Sequence, residues 1–234
     1  MNIVVLPGYN CQDTLENVVR AIPKECVDDI IYVDDYSTDK STEIAHLLKI
    51  KHIIQHTHNI GYGGNQKTLY SAALKLNPDI IIMLHPDYQY DPKLIPIILS
   101  KFKEGADVVF ASRMMKKKEA IRLGMPKYKY YSNRFLTIMQ NLLFNQKLSE
   151  YHTGYRAYKA SVLREIDYSS LSNDFIFDNQ MILEIINNKY IISEIYCPAK
   201  YEKDSSSINF WRSLRYGILV LWYSIIYKMR VFYL

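Results

Sequence analysis

Residues 85–89 (HPDYQ) hold a carboxylate, Asp87, and a carboxamide, Gln89, two positions apart and soon after the apolar run 80–84. An apolar run without alternation is typical of a strand that is covered on both faces of a parallel sheet. Such sheets present their ligand groups at the carboxyl ends of the strands, beside a crevice. We therefore expect a binding site here, although a simple turn rich in Pro and Asp would give a similar pattern.

A second apolar segment, residues 30–33, ends in the adjacent acids Asp34 and Asp35. Two neighbouring carboxylates repel each other unless cations or hydrogen-bond donors face them. Helix capping would account for one of these acids but not for the pair, and Ser37 or Asp39 is the expected cap of the next helix. A nucleotide base and ribose would supply the required donors, so the pair predicts a nucleotide site.

Short apolar segments alternate with helical patterns along the chain. This alternation indicates βαβ units and a mainly parallel sheet, which would position the acids described above. Strands are predicted at residues 3–6, 30–33, 52–55, 80–84 and 108–111, with helices near 14–21, 42–48, 66–76 and 92–102. A longer helix is predicted near 130–144, with strand candidates at 155–158 and 191–196. No repeat or linker is visible before about residue 205, so we expect one domain, residues 1–205, and a tail, residues 206–234.

The tail is the most hydrophobic part of the chain. Its longest stretch without charge is residues 216–227, which is well below the roughly 20 residues that a membrane-spanning helix needs. Trp and Tyr along the tail, with Arg or Lys at both ends, predict an amphipathic helix that lies in the headgroup region of a membrane. A helix of the core or of a dimer contact would have a similar composition.

The chain has 234 residues and a formal net charge of +5, and its basic residues cluster near the end. They are Lys200, Lys203, Arg212, Arg215, Lys228 and Arg230. Without a basic helix, zinc-ligand spacing or an RNA-binding signature, the cluster predicts contact with an anionic membrane or a phosphate-bearing acceptor, not with nucleic acid. Cys11, Cys26 and Cys197 lack metal or redox spacing and no signal-peptide pattern is visible, so we expect free thiols in a cytoplasmic protein.

Six short segments occur in the order and at the spacing of one enzyme family. They are IVVLPGYN (3–10), VDDYSTD (33–39), NIGYGG (59–64), LHPDYQYDP (84–92), ASR (111–113) and TGYR (153–156). Over about residues 1–200 the chain resembles the family 2 glycosyltransferases, in particular the branch with dolichyl-phosphate mannose synthase and bacterial polyprenyl-phosphate glycosyltransferases. The resemblance implies an α/β fold of GT-A type, a Rossmann-like, mainly parallel sheet flanked by helices, here followed by the C-terminal amphipathic helix. It also implies a nucleotide-diphosphate sugar as donor, a divalent metal, Mn²⁺ or Mg²⁺, and inversion at the anomeric carbon.

By this resemblance, the donor nucleotide is bound by loops that follow the first, second, third and fourth strands. The matching residues are Pro7, Tyr9, Asn10, Asp34, Asp35, Gly61 and Pro86, and Lys67, shortly after the glycines of the third loop, is a secondary candidate for the diphosphate that could instead face solvent. The glycines of residues 59–67 could cradle phosphate with backbone N–H groups or could only form a tight turn. Their spacing differs from the dinucleotide-binding and Walker patterns, which argues against a dehydrogenase or an ATPase.

The metal positions of the family are matched by His85, Asp87 and Gln89, with His85 in place of the first acid. Histidine can ligate Mn²⁺ or hydrogen-bond a ribose or phosphate, but it removes one negative charge. We therefore expect weakened metal affinity, which leaves metal dependence open. Asp91, before Pro92, is expected to cap a helix rather than to bind metal.

The resemblance also places catalytic roles on Asp87, on Arg113, whose equivalent contacts an acceptor phosphate, and on Glu150, the candidate base or sugar-positioning group. A guanidinium suits phosphate because it forms bidentate hydrogen bonds. Positions near the sugar or the acceptor are matched by Gly154, Arg156, Asp178 and Gln180. Gln180 stands where relatives carry a glutamate, and Asp178 could compensate for that change.

The sequence thus predicts a glycosyltransferase, peripheral on the inner face of the cytoplasmic membrane, that moves a sugar from a UDP- or GDP-sugar to a polyprenyl phosphate or lipid-linked glycan. Two other functions stay open. Transfer to a soluble sugar or a protein hydroxyl would need a catalytic base and would leave the tail dispensable. A non-catalytic nucleotide-sugar-binding or scaffold protein would fit the replacements at His85 and Gln180.

Overall fold

The computed structural model describes residues 1–116, 118–198 and 210–232, with side chains of the last range described for 213–229. Its strands are β1 (Asn2–Gly8), β2 (Asp29–Asp34), β3 (His52–Gln55), β4 (Ile80–Met83), β5 (Val108–Ser112), β6 (Arg156–Lys159) and β7 (Ile192–Tyr196). They form a seven-stranded sheet in the order β3-β2-β1-β4-β6-β5-β7. Neighbours are parallel except that β6 runs antiparallel to β4 and β5. The predicted α/β fold with a mainly parallel sheet is confirmed.

Helices lie on both faces of this sheet. They are α1 (Leu15–Ala21), α2 (Ser41–Leu47), α3 (Tyr62–Leu74), α4 (Ile95–Lys103), α5 (Glu119–Arg122), α6 (Lys127–Phe144), α7 (Ala160–Glu165), α8 (Phe177–Asn187) and α9 (Phe210–Phe232), with 3₁₀ turns at Pro92–Leu94 and Tyr168–Ser170. The sequence pattern does not predict α8, because most of its side chains are buried and leave no amphipathic period. Helix α3 begins four residues earlier than the predicted residue 66.

The two faces of the sheet bury separate apolar clusters, because successive side chains of a strand point to opposite faces. Ile3 and Val5 of β1 pack with side chains of α3, α7 and α8, whereas Val4 and Leu6 pack with α1, α2 and α4. All four are completely buried. This cover on both faces explains why the strands read as unbroken apolar runs. It also leaves the carboxyl ends of the parallel strands β1, β2 and β4 at one polar edge.

Helix α9 packs against α6 and α8. Val220, Ser224 and Tyr227 are buried in this contact, and Ser224 Oγ accepts a hydrogen bond from Gln140 Nε2 at 3.0 Å. Other apolar side chains of α9 are exposed to solvent. The predicted C-terminal amphipathic helix is therefore confirmed, and one of its sides is docked on the domain.

Some of the predicted features near the end of the chain lie outside the described residues. These are Lys200, Lys203, the predicted domain boundary after residue 205, and the side chains of Arg212 and Arg230. In the ranges that are described, no helix has the length and apolar composition needed to cross a membrane. Membrane contact of the tail stays a prediction.

Candidate active site

A cavity of about 1550 Å³ lies at the edge of the sheet where β1, β2, β4 and β5 end. Most of the predicted site residues line it, namely Pro7, Tyr9, Asn10, Asp35, Gly61, His85, Pro86, Asp87, Gln89, Arg113, Gly154 and Asp178. Others do not line it, namely Asp34, Lys67, Glu150, Arg156 and Gln180. The strand ends thus bring distant segments together as the sequence predicts, and the second group takes supporting positions.

The adjacent acids Asp34 and Asp35 have different surroundings. Asp34 is completely buried and accepts hydrogen bonds from the hydroxyls of Tyr32 at 3.0 Å and Ser37 at 2.6 Å. Asp35 lines the cavity, and its Oδ1 lies 2.8 Å from His56 Nδ1. The donors that this pair requires are therefore supplied largely by the protein, and only Asp35 also borders the space for a ligand.

The backbone N–H groups of the glycine-containing loop are directed at protein acceptors. Ile60 and Gly61 donate to the Asp35 carboxylate at 2.9 and 3.1 Å, and Gly63 donates to the carbonyl oxygen of Asn173 at 2.8 Å. Gly61 has φ 91°, and a Cβ there would lie 2.6 Å from the same carbonyl oxygen, so only glycine fits. The loop is a tight entry into α3 whose donors serve the fold rather than a phosphate.

Lys67 links α3 to the segment before α8 by hydrogen bonds. Its Nζ donates to the carbonyl oxygen of Ser169 at 2.9 Å, to Asn173 Oδ1 at 2.8 Å and to the carbonyl oxygen of Leu171. An ammonium group has three donors, so these contacts use all of them. Desolvation lowers the pKa of Lys67. The predicted contact of Lys67 with a diphosphate has no support in this arrangement.

Residues 85–89, which we call the strand-end motif, place Asp87 and Gln89 on the cavity wall as predicted. Asp87 Oδ1 accepts the backbone N–H of Gln89 at 3.1 Å, while Oδ2 accepts no hydrogen bond from a described residue. Tyr88 between them has φ 57°, an uncommon conformation that turns the chain tightly here. Asp91 accepts the backbone N–H of Lys93 at 3.0 Å, which confirms its predicted role as a cap.

A hydrogen-bonded chain links the strand-end motif to α8. His85 Nε2 lies 3.2 Å from the Tyr62 hydroxyl, which donates to Asp178 Oδ2 at 2.7 Å. The rings of Tyr62 and His85 are stacked, with centroids 5.5 Å apart. Desolvation and the neighbouring Asp178 raise the pKa of Tyr62 well above its ordinary value, so the phenol keeps its proton. A Cβ on Gly154 would lie 2.6 Å from His85 Nε2, so the histidine ring needs glycine beside it.

Arg113, which follows β5, borders the cavity and is held by Glu150. The backbone N–H of Arg113 donates to Glu150 Oε2 at 2.8 Å, its Nε donates to Oε1 at 3.0 Å, and its Nη2 also contacts Oε1. Nη2 donates in addition to the carbonyl oxygen of His152 at 2.9 Å. Glu150 itself is completely buried and does not line the cavity. Its carboxylate is therefore placed to fix Arg113.

Arg156 and Gln180 support the cavity from behind its wall. The completely buried guanidinium of Arg156 donates to the carbonyl oxygens of Thr153 at 2.7 Å and Asp178 at 2.6 Å. Gln180 Oε1 accepts the backbone N–H of Ser172 at 2.8 Å. In this arrangement both residues order the chain around the cavity, and direct contact with a sugar or acceptor stays a prediction.

Two cavity residues, His152 and Tyr216, are not identified by the sequence reasoning. His152 Nδ1 lies 3.0 Å from the hydroxyl of Tyr216 in α9, and its Nε2 has no partner among the described residues. Desolvation, with Arg113 and Arg156 adding to it, lowers the pKa of His152 to about 3, so the ring is neutral near pH 7. The adjacent TGYR segment is the only sequence signal for His152. Which residues of α9 meet the cavity depends on how the helix docks, so Tyr216 has no local sequence signal.

Helices α6 and α9 form an apolar border on one side of the cavity. Phe135 of α6 and Leu214 and Ile218 of α9 line the cavity and are also exposed at the surface. Together with other exposed apolar residues of the two helices they form what we call the apolar rim. The rim consists of Tyr131, Phe135, Ile138 and Leu142 in α6 and Leu214, Ile218, Trp222, Ile225 and Met229 in α9.

The family is established by comparison of sequences. The sequence model described as Glycosyl transferase family 2 matches residues 3–167. The chain belongs to this family. It is therefore a family 2 glycosyltransferase, as the six segments predict, and an enzyme rather than a non-catalytic scaffold.

Relatives of this glycosyltransferase include enzymes named for lipid phosphates. It is 31% identical over 183 residues to an uncharacterised protein of Methanocaldococcus jannaschii, covering 74% of this chain and 73% of the other. It is 24% identical over 200 residues (82% and 75%) to a polyprenol monophosphomannose synthase of Mycolicibacterium smegmatis. It is 25% identical over 209 residues (82% of each chain) to a UDP-N-acetylglucosamine–dolichyl-phosphate N-acetylglucosaminyltransferase of Methanococcus voltae.

The fold of this glycosyltransferase is similar to that of glucosyl-3-phosphoglycerate synthase from Mycobacterium tuberculosis. That crystal structure holds Mn²⁺, UDP and glucosyl-3-phosphoglycerate, and it matches with a TM-score of 0.70 over 97% of this chain and 79% of the other. At 14% sequence identity the similarity shows the fold alone. It confirms the predicted GT-A type.

The side-chain oxygen and nitrogen atoms that the cavity offers would suit a metal ion that also binds the substrate. No three His, Cys, Asp or Glu side chains in the described part of the chain are grouped closely enough to hold a metal ion by themselves. The cavity does offer Asp87 Oδ2 and the ring of His85. A metal that also binds substrate phosphates commonly uses only one or two protein ligands. Asp87 and His85 would suit such a metal, with phosphate oxygens as further ligands.

Proposed function

We propose that this glycosyltransferase moves a sugar, with inversion, from a nucleoside diphosphate to a polyprenyl phosphate at a membrane surface. The observation that carries the proposal is the composition of one cavity. It combines acids at the ends of β2 and β4, the fixed guanidinium of Arg113, and the apolar rim of α6 and α9. These three parts match the nucleotide, the acceptor phosphate and the lipid chain.

The donor side of the cavity is assigned to the segments after β1, β2 and β4. Tyr9 is an exposed aromatic side chain on the cavity wall and suits stacking on a base. Asp35 suits a ribose hydroxyl because a carboxylate is an acceptor. A divalent metal held by Asp87 would stabilise the negative charge of the departing diphosphate. Pro7, Asn10, Gly61 and Pro86 complete the proposed nucleotide wall.

The acceptor side is assigned to Arg113. A polyprenyl phosphate is already ionised at neutral pH, so its attack needs no strong base, whereas a hydroxyl acceptor must lose a proton. Glu150, the predicted base, is buried beneath Arg113 and does not border the cavity. This supports an ionised nucleophile, and we assign Glu150 to positioning Arg113.

The apolar rim supports an acceptor that is carried by a lipid. Ile218 is 61% exposed and Trp222 is 60% exposed. Contiguous exposed apolar side chains of this size mark contacts with membranes or with protein partners. An aromatic and aliphatic helix face beside basic residues is typical of a helix that lies in the headgroup region. The relatives named for polyprenol and dolichyl phosphate agree with this assignment.

The proposal is tested with undecaprenyl phosphate in lipid vesicles. The enzyme is incubated with Mn²⁺ and with UDP-glucose, UDP-N-acetylglucosamine or GDP-mannose in turn, and the lipid fraction is examined by mass spectrometry. We expect one donor to give a glycosyl phosphate lipid. Undecaprenol without its phosphate is the matched control and should give no product.

Two other outcomes would contradict separate parts of the proposal. Transfer to undecaprenol or only to a soluble hydroxyl would reject the phosphate acceptor in favour of a hydroxyl acceptor. Failure of UDP and of GDP to raise the melting temperature, with or without Mn²⁺, would reject the donor assignment, because a ligand that binds the native state stabilises it.

A further inference from the structure

The hydrogen-bond chain from Asp178 through Tyr62 to His85 has a defined direction. Asp178 receives the Tyr62 hydroxyl at 2.7 Å and Gln66 Nε2 at 3.2 Å, and it lies 3.9 Å from Arg156 Nη1. A carboxylate surrounded by donors acts as an acceptor, so the single hydroxyl proton of Tyr62 points to Asp178. In its 3.2 Å contact with His85 the phenol oxygen can then only accept. His85 Nε2 must carry the proton.

This direction decides which nitrogen of His85 is available. A neutral imidazole has one N–H and one lone pair, so protonation at Nε2 leaves the lone pair on Nδ1. Nδ1 has no hydrogen-bond partner among the described residues and is not fully buried, and the His85 residue lines the cavity. The ring is held by its stacking on Tyr62, which stacks in turn on Phe175 at 4.9 Å. The absence of a side chain at Gly154 makes room for it.

We propose that Tyr62 and Asp178 are positioning residues that hold His85 as its Nε2–H tautomer and so present the Nδ1 lone pair to a divalent transition metal shared with Asp87. The inference rests on the proposed function, because the metal is the one that accompanies the nucleoside diphosphate. A metal-binding histidine commonly donates its other N–H to an outer partner, which fixes the tautomer and the ring orientation. Here that partner is a phenol backed by a carboxylate.

The tautomer has consequences for what His85 can bind. A lone pair on Nδ1 does not bond a phosphate oxygen, since both are acceptors, whereas it can ligate a cation or accept from a hydroxyl. Imidazole nitrogen favours transition metals, and Mg²⁺ prefers oxygen ligands. We therefore expect the wild-type protein to discriminate against Mg²⁺ more strongly than a His85→Asp variant does.

The first measurement is Mn²⁺ binding by electron paramagnetic resonance in the presence of UDP or GDP, whichever raises the melting temperature. Tyr62→Phe keeps the ring stacking and removes only the hydroxyl. We expect it to weaken Mn²⁺ binding about 10-fold, as the loss of an outer hydrogen bond to a metal-bound histidine does. Tyr36→Phe is the matched control, because Tyr36 is exposed away from the cavity lining and its hydroxyl bonds no described residue. It should bind Mn²⁺ as the wild type does.

A double-mutant cycle separates the tautomer effect from general damage to the cavity. Aspartate at position 85 has no tautomer to fix, so Tyr62→Phe should not change Mn²⁺ affinity in the His85→Asp background. The His85→Asp protein should also bind Mg²⁺ relatively better than the wild type does.

The second measurement is the tautomer itself, read from ¹⁵N shifts of the histidine side chains in the metal-free protein. The His85 signal is assigned by its loss in His85→Gln. We expect an Nε2–H ring in the wild type and a mixture of tautomers in Tyr62→Phe. This readout on the wild type decides the question even if the variant fails to fold.

Three results would overturn the inference. They are an Nδ1–H ring for His85 in the wild type, Mn²⁺ affinity that does not respond to Tyr62→Phe, and equal Mn²⁺ affinity in the wild type and His85→Ala. The last would mean that His85 accepts from a nucleotide or sugar hydroxyl instead. In each case the nucleotide would still bind. Failure of both UDP and GDP to bind the wild type would instead reject the proposed function.

Discussion

Arg113 and Glu150 form an ion pair whose carboxylate is completely buried and whose guanidinium borders the cavity. Separate atoms of Arg113 reach both carboxylate oxygens, with 2.8 Å from the backbone N–H and 3.0 Å from Nε. The pair joins the end of β5 to the segment before β6. A cation held in this way keeps a fixed orientation, so its positive charge stays at one place on the cavity wall.

We expect Arg113→Ala to impair use of the lipid phosphate while donor hydrolysis and nucleotide binding persist. The variant should also be less stable by about 3 kcal/mol, because the Glu150 carboxylate stays buried without its cation. Denaturant unfolding measures the stability, and the ratio of lipid transfer to donor hydrolysis measures the acceptor step. The double variant Arg113→Met/Glu150→Leu should regain stability but not transfer. Normal lipid transfer by Arg113→Ala would reject the phosphate contact.

Glu150→Gln distinguishes a positioning residue from a general base. The amide keeps the size of the side chain and one acceptor oxygen, so we expect transfer to slow by about 10-fold or less. Removal of a general base typically costs about 10²–10⁴-fold. Steady-state transfer rates across pH provide the measurement. A loss in the larger range, with only a small effect of Arg113→Ala, would indicate a hydroxyl acceptor.

Asp87→Asn should abolish measurable transfer, with a loss of about 10³-fold or more, because it removes the one carboxylate of the strand-end motif that borders the cavity. The fold should survive, since the carboxylate makes only a local bond to the Gln89 backbone. His85→Ala should have a milder effect. Turnover with saturating Mn²⁺ and unfolding by denaturant are the two readouts. Near-normal turnover of Asp87→Asn would show that the metal assignment is wrong.

The exposed and buried sides of α9 should respond differently to substitution. Ile218→Ser/Trp222→Ser removes two large side chains of the apolar rim, so we expect less binding to anionic vesicles and an unchanged melting temperature. Val220→Ala is the control on the buried side and should cost about 2 kcal/mol without loss of vesicle binding. Flotation with vesicles measures the binding. If the rim variant is destabilised and still binds vesicles, the rim side chains pack against protein and do not contact the membrane.

The neutral ring of His152 should make stability fall as the solution becomes acidic. Desolvation, together with Arg113 and Arg156, lowers the pKa of His152 to about 3, against about 6.5 in an unfolded chain. Between these values the unfolded state binds a proton that the folded state excludes. The free energy of unfolding therefore rises with pH by up to about 1.4 kcal/mol per unit and levels off above about pH 6.5.

The matched comparison for this pH effect is His152→Gln, which has no group that titrates in the window. Urea unfolding from about pH 7 down to about pH 4 should show a shallower slope for the variant than for the wild type. Carboxylates contribute to both proteins, so the difference between the two curves isolates His152. Parallel curves would contradict a neutral, buried ring.

The strands and the place of the site could be predicted because their signals are local. A strand covered on both faces is an unbroken apolar run, so β1, β2, β4 and β5 and the polar residues after them are visible in the sequence. The adjacent acids Asp34 and Asp35 were found in this way. Their separate roles were not, because packing of the surrounding segments decides which of the two acids borders the cavity.

The sequence by itself determined the α/β fold, the family and the segments that meet at the edge of the sheet, because local periodicity and short motifs encode these features. The tertiary structure decided which polar groups face each other. Glu150 pairs with Arg113 across 37 residues, and Asp178 accepts from Tyr62 across 116 residues. Helix α8 is also a tertiary result, since a helix buried on most sides has no amphipathic pattern. Such contacts depend on how distant elements pack, and no local pattern of residues records that packing.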